Sequence, residues 1–216
     1  MNTLELFAGS RSFSKAAESL GHKVYTTDNQ DFEAIDQVCD IFDFDINKIP
    51  YEPEIIWASP PCTSFSVASI GHHWNLDHTP KTEKAELGVA IVKKTIEIIN
   101  DLHPKYWFIE NPRGKLRKLD FMQEFDRATV CYCKYGDTRM KPTDIWTNFL
   151  YHPDLWVGWQ PREMCFNGNK NCHHEPAPRG SQTGTQGLKG DYLRSQIPAE
   201  LFIDIFNDIK KINNDI

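Results

Sequence analysis

Two short runs carry residue types that could do covalent chemistry together. Pro60-Pro61-Cys62 follows the apolar stretch Glu54-Ile55-Ile56-Trp57-Ala58-Ser59, and 48 residues after the thiol comes Glu110-Asn111-Pro112, led in by Tyr106-Trp107-Phe108-Ile109. Short apolar runs bounded by turn residues predict buried parallel strands, and open α/β sheets gather chemistry at the carboxyl ends of their strands. A thiol and a carboxyl group at one sheet edge could attack an unsaturated ring carbon and protonate a nearby ring nitrogen, as at C6 and N3 of a pyrimidine. A free thiol of pKa about 8.5 is little ionised near neutrality, so the site is expected to lower that value.

The elements that must position this pair are legible around it. Thr3-Leu4-Glu5-Leu6-Phe7 reads as a first strand stopped by Ala8-Gly9, followed by a helix from Phe13 to Leu20 that Gly21 ends. Lys23 to Thr27 gives a second strand ending at Asp28, and a short third element precedes Asp43-Phe44-Asp45. Residues 63–82 lack periodicity and read as a mobile lid. Leu87, Ile91, Thr95, Ile98 and Leu102 recur at helical spacing, so a long amphipathic helix is expected to cross to the Glu110 strand. Ile197-Pro198 opens a last helix with Leu201, Phe202, Ile205, Phe206 and Ile209 on its apolar face. Alternating strands and helices predict an α/β fold with a doubly wound, mostly parallel sheet.

Composition is ordinary for a globular chain: 216 residues, 40% hydrophobic and 25% charged. No apolar run approaches bilayer length, and Met1-Asn2-Thr3 leads straight into a strand, so neither a membrane span nor a signal peptide is expected. The six cysteines then read as reduced thiols of a cytoplasmic protein. The net charge of −6 is unevenly spread: −7 over residues 1–56, +4 over 111–141 and +2 over 158–194. Phosphate contact depends on the local face, so an acidic total leaves DNA open as a partner, with salt-sensitive binding.

In this order the motifs resemble those of the DNA (cytosine-5)-methyltransferases, in a compact phage-type form. Leu6-Phe7-Ala8-Gly9 resembles the family's cofactor turn, Ser59-Pro60-Pro61-Cys62 its Pro-Cys nucleophile motif, and Glu110-Asn111 its Glu-Asn motif. Tyr135-Gly136-Asp137-Thr138-Arg139-Met140-Lys141 is similar to the Gln-x-Arg-x-Arg segment, and Ile197-Pro198 to the motif that returns to the cofactor pocket. The resemblance implies a Rossmann-like methyltransferase fold with S-adenosylmethionine as methyl donor. It also implies transfer to C5 of a flipped cytosine through a covalent Cys62–C6 bond.

Further roles follow from the same resemblance. Glu110 would protonate N3, while Arg139, and secondarily Lys141, would hold O2 and steady the thiol. Phe7, Ala8, Gly9, Asp28, Asp45, Pro61, Ser195 and Ile197 would hold the cofactor, with Asp43 a rival to Asp45. The implied partner is double-stranded DNA carrying a short target site, bound by a monomer or weak dimer. Residues 1–148 would be catalytic, 149–193 a small target-recognition region and 194–216 a helix packing back. Ser66, Arg179, Ser181, Gln182, Thr183, Gln186 and Lys189 are residue types that read DNA and are expected to contact it.

Other readings stay open. Ser59-Pro60-Pro61 also suits an amino-methyltransferase acting on N4 of cytosine or N6 of adenine, although Cys62 stands where such an enzyme has an aromatic ring. An inactive DNA-binding relic of the same fold is a third reading. His72, His73 and His78 read as solvated loop residues, and Trp146, Trp156 and Trp159 as packing. Cys165, Cys172, His173 and His174, with Cys131 or Cys133, are zinc-compatible types. Their spacing lacks a short Cys-x2-Cys pair, so structural thiols lead, no metal is assigned and zinc is left open.

Overall fold

The computed structural model describes residues 1–155, 157–175 and 191–214. Its centre is a seven-stranded sheet in the order β3-β2-β1-β4-β5-β7-β6. The strands are β1 (Asn2–Leu6), β2 (Lys23–Asp28), β3 (Gln37–Val38), β4 (Ile55–Ala58), β5 (Tyr106–Pro112), β6 (Arg127–Cys131) and β7 (Pro142–Thr147). The first five run parallel; β7 pairs antiparallel with both β5 and β6. Crossovers on both faces make the sheet doubly wound, as the sequence led us to expect. The helices are α1 (Ser12–Ser19), α2 (Ile70–His73), α3 (Glu83–Leu102), α4 (Asp191–Ser195) and α5 (Ala199–Asn214).

Strand alternation divides the core into two layers. Ile55 and Trp57 of β4 face one side with Phe13 of α1 and Leu201, Phe202, Ile205, Phe206 and Ile209 of α5. Ile56 and Ala58 face the other side with Val92, Ile98 and Ile99 of α3. A strand buried on both faces has no polar alternation to show, which is why β4 reads as a continuous apolar run. On β7 the fully buried Asp144 is held by Arg117, whose Nε and Nη2 donate at 2.8 and 2.6 Å, and by the Thr129 hydroxyl at 2.7 Å. A buried carboxylate needs such partners.

Three expectations about packing change. Thr95 and Ile98 of α3 are buried as expected, but in the first half of the helix the inward face shifts by one residue: Gly88 and Val92 are turned in, while Leu87 is 53% exposed. The cause is close approach. A Cβ at position 88 would meet Ser64 Oγ at 2.6 Å and the Phe65 ring at 3.2 Å, so glycine lets the 63–82 segment lie against the helix. That segment is also more ordered than a bare lid. Phe65 and Trp74 are buried in ring contact, the Trp74 indole donates to Ser64 O at 2.8 Å, and Lys115 N–H donates to Phe65 O at 2.8 Å. His73, expected to be solvated, is buried and its Nδ1 lies 2.7 Å from Thr82 Oγ1.

Residues 149–155 and 157–175 pack onto the main core and form only isolated bridges among the described residues. Trp159 is fully buried in the layer that holds α5, as packing was expected of it; Trp146 is buried on β7 in the opposite layer. No helix among the described residues is long and apolar enough to cross a membrane.

Candidate active site

Parallel pairing of β4 with β5 sets Ala58 beside Ile109, so the chain leaves β4 toward Cys62 at the edge where Glu110 stands. The loop after β4 turns at once: Phe65 and Ser66 N–H both donate to Cys62 O at 3.0 Å. Asn111 Nδ2 donates to Pro60 O at 3.0 Å, joining the two strand ends. Antiparallel β7 begins at this same edge, which brings in Lys141.

Glu110 is buried and burial raises its carboxyl pKa, opposed by the Lys141 cation and by hydrogen bonds from Tyr132 and Ser59. The Tyr132 hydroxyl donates to Glu110 Oε1 at 3.0 Å. Cys62 feels the same surroundings. Burial and the neighbouring Glu110 charge raise its thiol, whereas Lys141 and Arg194 lower it. The net effect raises the thiol rather than lowering it, against expectation. Burial also lowers the Lys141 ammonium, opposed by Glu110 and Cys62. Thiol, carboxyl and ammonium form one electrostatic cluster.

Arg139 is buried and bonded within the fold. Its guanidinium grips Asp137, with Nε 2.9 and 3.0 Å from the two carboxylate oxygens and Nη2 also bonded, and it donates to the carbonyls of Arg194 (3.3 Å) and Gln196 (3.0 Å). The charge of the shorter Lys141 acts on Cys62 and Glu110 instead, with Nζ 4.7 Å from the Tyr132 ring centroid and donating to Arg194 O at 3.2 Å. Tyr132 had no motif or spacing to reveal it, and Ser59 stood in the Pro-Cys motif with no role of its own; their contacts with Glu110 are made across strands.

A second group of expected residues meets at the carboxyl ends of β1 and β2. Phe7 and Gly9 both have positive φ, 61° and 45°, which turns the chain sharply after β1. Gly9 N–H donates to Asp28 Oδ2 at 2.9 Å, and Ala8 N–H to Thr27 O at 2.9 Å. Ile197, buried, donates its N–H to Ser12 Oγ at 3.2 Å, so the segment before α5 returns to this turn. Asp45 caps a short turn, accepting from Asn47 N–H and Nδ2 at 3.0 Å each, bonds that lower its pKa. Asp43 is exposed. Pro61 is exposed, and Ser195 is exposed with its hydroxyl donating to Tyr192 O at 2.9 Å.

Ser66 is half-buried, 3.0 Å from Ser69 Oγ. Arg179, Ser181, Gln182, Thr183, Gln186 and Lys189 lie outside the described residues. Of the basic side chains in 111–141, Lys115, Arg117, Arg139 and Lys141 bond within the fold, and Arg113, Lys118 and Arg127 are exposed.

Comparison with known proteins now decides the family. The profile described as C-5 cytosine-specific DNA methylase matches residues 1–129. The chain belongs to the C-5 cytosine-specific DNA methylase family. It is 30% identical over 223 residues to a Frog virus 3 (isolate Goorha) protein assigned as a DNA (cytosine-5)-methyltransferase, covering 96% of this chain and 99% of that one. Two solved structures share the fold. One is a candidate DNA modification methyltransferase encoded within an E. coli prophage, with a TM-score of 0.52 and 12% identity. The other is EhMeth of Entamoeba histolytica, with a TM-score of 0.50 and 14% identity. The matches cover 76% of this chain in each case, and 52% and 57% of those chains, so it spans about half their length.

Membership makes the reaction transfer of a methyl group to C5 of cytosine in DNA, with S-adenosylmethionine as donor. The turn after β1 suits that donor. Gly9 takes a φ of 45°, which side-chain-bearing residues rarely adopt, and so lets the backbone turn back to the Asp28 carboxylate. S-adenosylmethionine has no phosphates, so one such glycine suffices where a phosphate-binding loop would need several.

Proposed function

We propose that this chain methylates C5 of a cytosine flipped out of double-stranded DNA, with Cys62 as covalent nucleophile, Glu110 as proton donor to N3 and Lys141 as their counter-charge. One observation carries the reading: thiol, carboxyl and ammonium are electrostatic neighbours at the end of two hydrogen-bonded parallel strands.

Cytosine C5 is a weak nucleophile. When the Cys62 thiol gives up its proton to solvent and the thiolate sulfur bonds to C6, the C5–C6 π bond opens and density moves onto the ring. Glu110 passes its proton to N3, so no full negative charge accumulates. A carboxyl raised by burial holds that proton in readiness. Once Glu110 is neutral it no longer opposes the thiolate, leaving Lys141 to stabilise the sulfur anion. The bound donor supplies an electrophilic methyl group on a sulfonium. After C5 accepts the methyl, loss of the C5 proton to a base and of the Cys62–C6 bond restores the ring, and N3 returns its proton to Glu110.

Phe7, Ala8, Gly9 and Asp28 hold the donor in this reading, with Asp28 on the ribose hydroxyls, Asp45 toward the adenine, and Pro61, Ser195 and Ile197 closing the pocket. Arg139 acts as a positioning residue that fixes the 194–196 segment. Flipping the base costs a few kcal/mol, which contacts from Ser66 and residues 149–193 offset. The division into a catalytic part (1–148), a recognition part (149–193) and a returning helix (194–216) is part of this proposal. A short target site fits the brevity of the recognition part.

Incubation with duplex DNA and methyl-labelled donor tests the reading. Wild type transfers label to C5 of cytosine, Cys62→Ser transfers none, and wild type alone forms a denaturant-stable adduct with 5-fluorocytosine DNA once a target is known. Full transfer by Cys62→Ser would instead favour methylation of an exocyclic amine.

A further inference from the structure

Away from the active site, the chain gathers half its cysteines in one place. Cys133 follows β6 in the turn Tyr132–Tyr135, while Cys165, Cys172 and His174 come from the segment after Trp159. The three sulfurs and a ring nitrogen of His174 all lie within 4.8 Å of one another. Cys165 Sγ is 3.5 Å from His174 Nδ1. For zinc with metal–sulfur bonds of about 2.3 Å and metal–nitrogen bonds of about 2.0 Å, tetrahedral ligand atoms stand roughly 3.5–3.8 Å apart. The cluster needs little movement to reach that spacing.

Two further observations favour a bound ion over incidental packing. From Arg162 to Glu175 the only buried residue is Cys165, while Met164 and Phe166 are 44% and 64% exposed. A segment with so little apolar surface to bury needs a staple of another kind. The surroundings also suit thiolate ligands. Asn169 Nδ2 donates to Cys165 Sγ at 3.4 Å, the outer-shell bond that steadies a ligating sulfur, while the Cys131 thiol donates to Cys165 O at 3.6 Å and so props the loop from beneath. Successive turns between Phe166 and Cys172 fold the intervening residues back so that both cysteines face Cys133. This compact reversal does what a short Cys-x2-Cys spacing does in other zinc proteins.

We propose that Cys133, Cys165, Cys172 and His174 form a structural zinc site. Each thiol releases its proton as its sulfur binds Zn²⁺, the imidazole binds as the neutral base, and four protein ligands leave no open position for chemistry. The site staples the 162–175 segment to the turn that precedes Asp137 and Arg139. Immediately beyond His174, Glu175 N–H donates to Thr138 O at 2.8 Å, so the metal fixes the root of the stretch 176–190 beside the Arg139 loop. This assignment stands independently of the methylation reading.

The full chain, purified under reducing conditions from zinc-supplemented medium without chelators, should carry about one zinc per chain by elemental mass spectrometry. Replacement with Co²⁺ should give a thiolate-to-metal charge-transfer band and the intense visible bands of a tetrahedral site. Cys172→Ser and His174→Ala should lose most of the metal and be cut faster by trypsin at Lys170, while Cys39→Ser keeps both metal and resistance. Zinc far below one equivalent together with a cobalt spectrum lacking the thiolate band would overturn the proposal. So would a disulfide among Cys133, Cys165 and Cys172 in freshly prepared protein. The cobalt spectrum of wild type decides the matter even if the variants fail to fold.

Discussion

The side-chain amide of Asn111 donates to the main-chain carbonyl of Pro60 at 3.0 Å, next to the carboxyl group on one strand and two residues before the thiol on the other. One buried bond therefore fixes the distance between the two groups that must act on a single base. Asn111→Ala leaves the Pro60 carbonyl unpaired, at a cost of about 1–3 kcal/mol. We expect kcat to fall on the order of 10- to 100-fold, with donor affinity little changed because Gly9 and Asp28 are untouched. Single-turnover methylation and donor titration measure the two effects separately; equal losses in both would point to general unfolding.

Glu110 should control the alkaline limb of the pH–rate profile. Burial raises its carboxyl, so the proton destined for N3 is held above the usual carboxylate range and is lost as pH rises through that raised value. Glu110→Gln should reduce the rate by 100-fold or more and abolish that alkaline decline. Retention of the decline in the variant would assign it to another group.

Lys141 and Arg139 can be told apart through the thiol. Alkylation of Cys62 by iodoacetamide, followed by peptide mass spectrometry, reports thiolate formation against pH. Lys141→Met removes a cation that lowers the Cys62 pKa, so its alkylation midpoint should move upward. Arg139→Met should move it less, because Asp137 already neutralises that guanidinium. Equal shifts would contradict the placement of the two side chains.

Glu5 gives the fold its own pH dependence. It is buried on β1, accepts from Phe13 and Ser14 N–H at 3.3 and 2.9 Å, and burial raises its pKa from 4.5 to about 7. The folded protein thus keeps a proton that the unfolded chain has already lost. The resulting stabilisation is complete below about pH 4.5 and disappears as pH rises through about 7, a swing on the order of 3 kcal/mol. Urea unfolding at pH 5 and pH 8 should show a larger loss in wild type than in Glu5→Gln, which cannot titrate. Parallel losses in the two proteins would refute the assignment.

The strand ends bearing Cys62 and Glu110 were readable because β4 and β5 are apolar on both faces and stop at prolines. Asp28 and Gly9 were readable because a turn residue after a strand marks the sheet edge. On α3, Thr95 and Ile98 were read correctly, but Leu87 and Ile91 give way to Gly88 and Val92, since Gly88 makes a tight contact with Ser64 and Phe65 that periodicity does not register. Order in residues 63–82 rests on two aromatic anchors, Phe65 and Trp74, too far apart to form a pattern. Tyr132 and Ser59 touch Glu110 only after three strands have paired, and nothing local announces such a meeting. The different settings of Arg139 and Lys141 were hidden for the same reason: Asp137, two residues away, captures the arginine.

The reversed direction of β7 has a consequence for how this edge of the sheet can change. Parallel strands present their exits at the reactive rim, but a strand running the other way presents its entrance. Lys141 arrives there from upstream, just ahead of Pro142, and its backbone bends to a φ of 28° as it does so. Insertions after β4 or β5 would lengthen loops beside the base, whereas an insertion before β7 would displace the ammonium itself. Drift in loop length should therefore be tolerated least between Asp137 and Pro142.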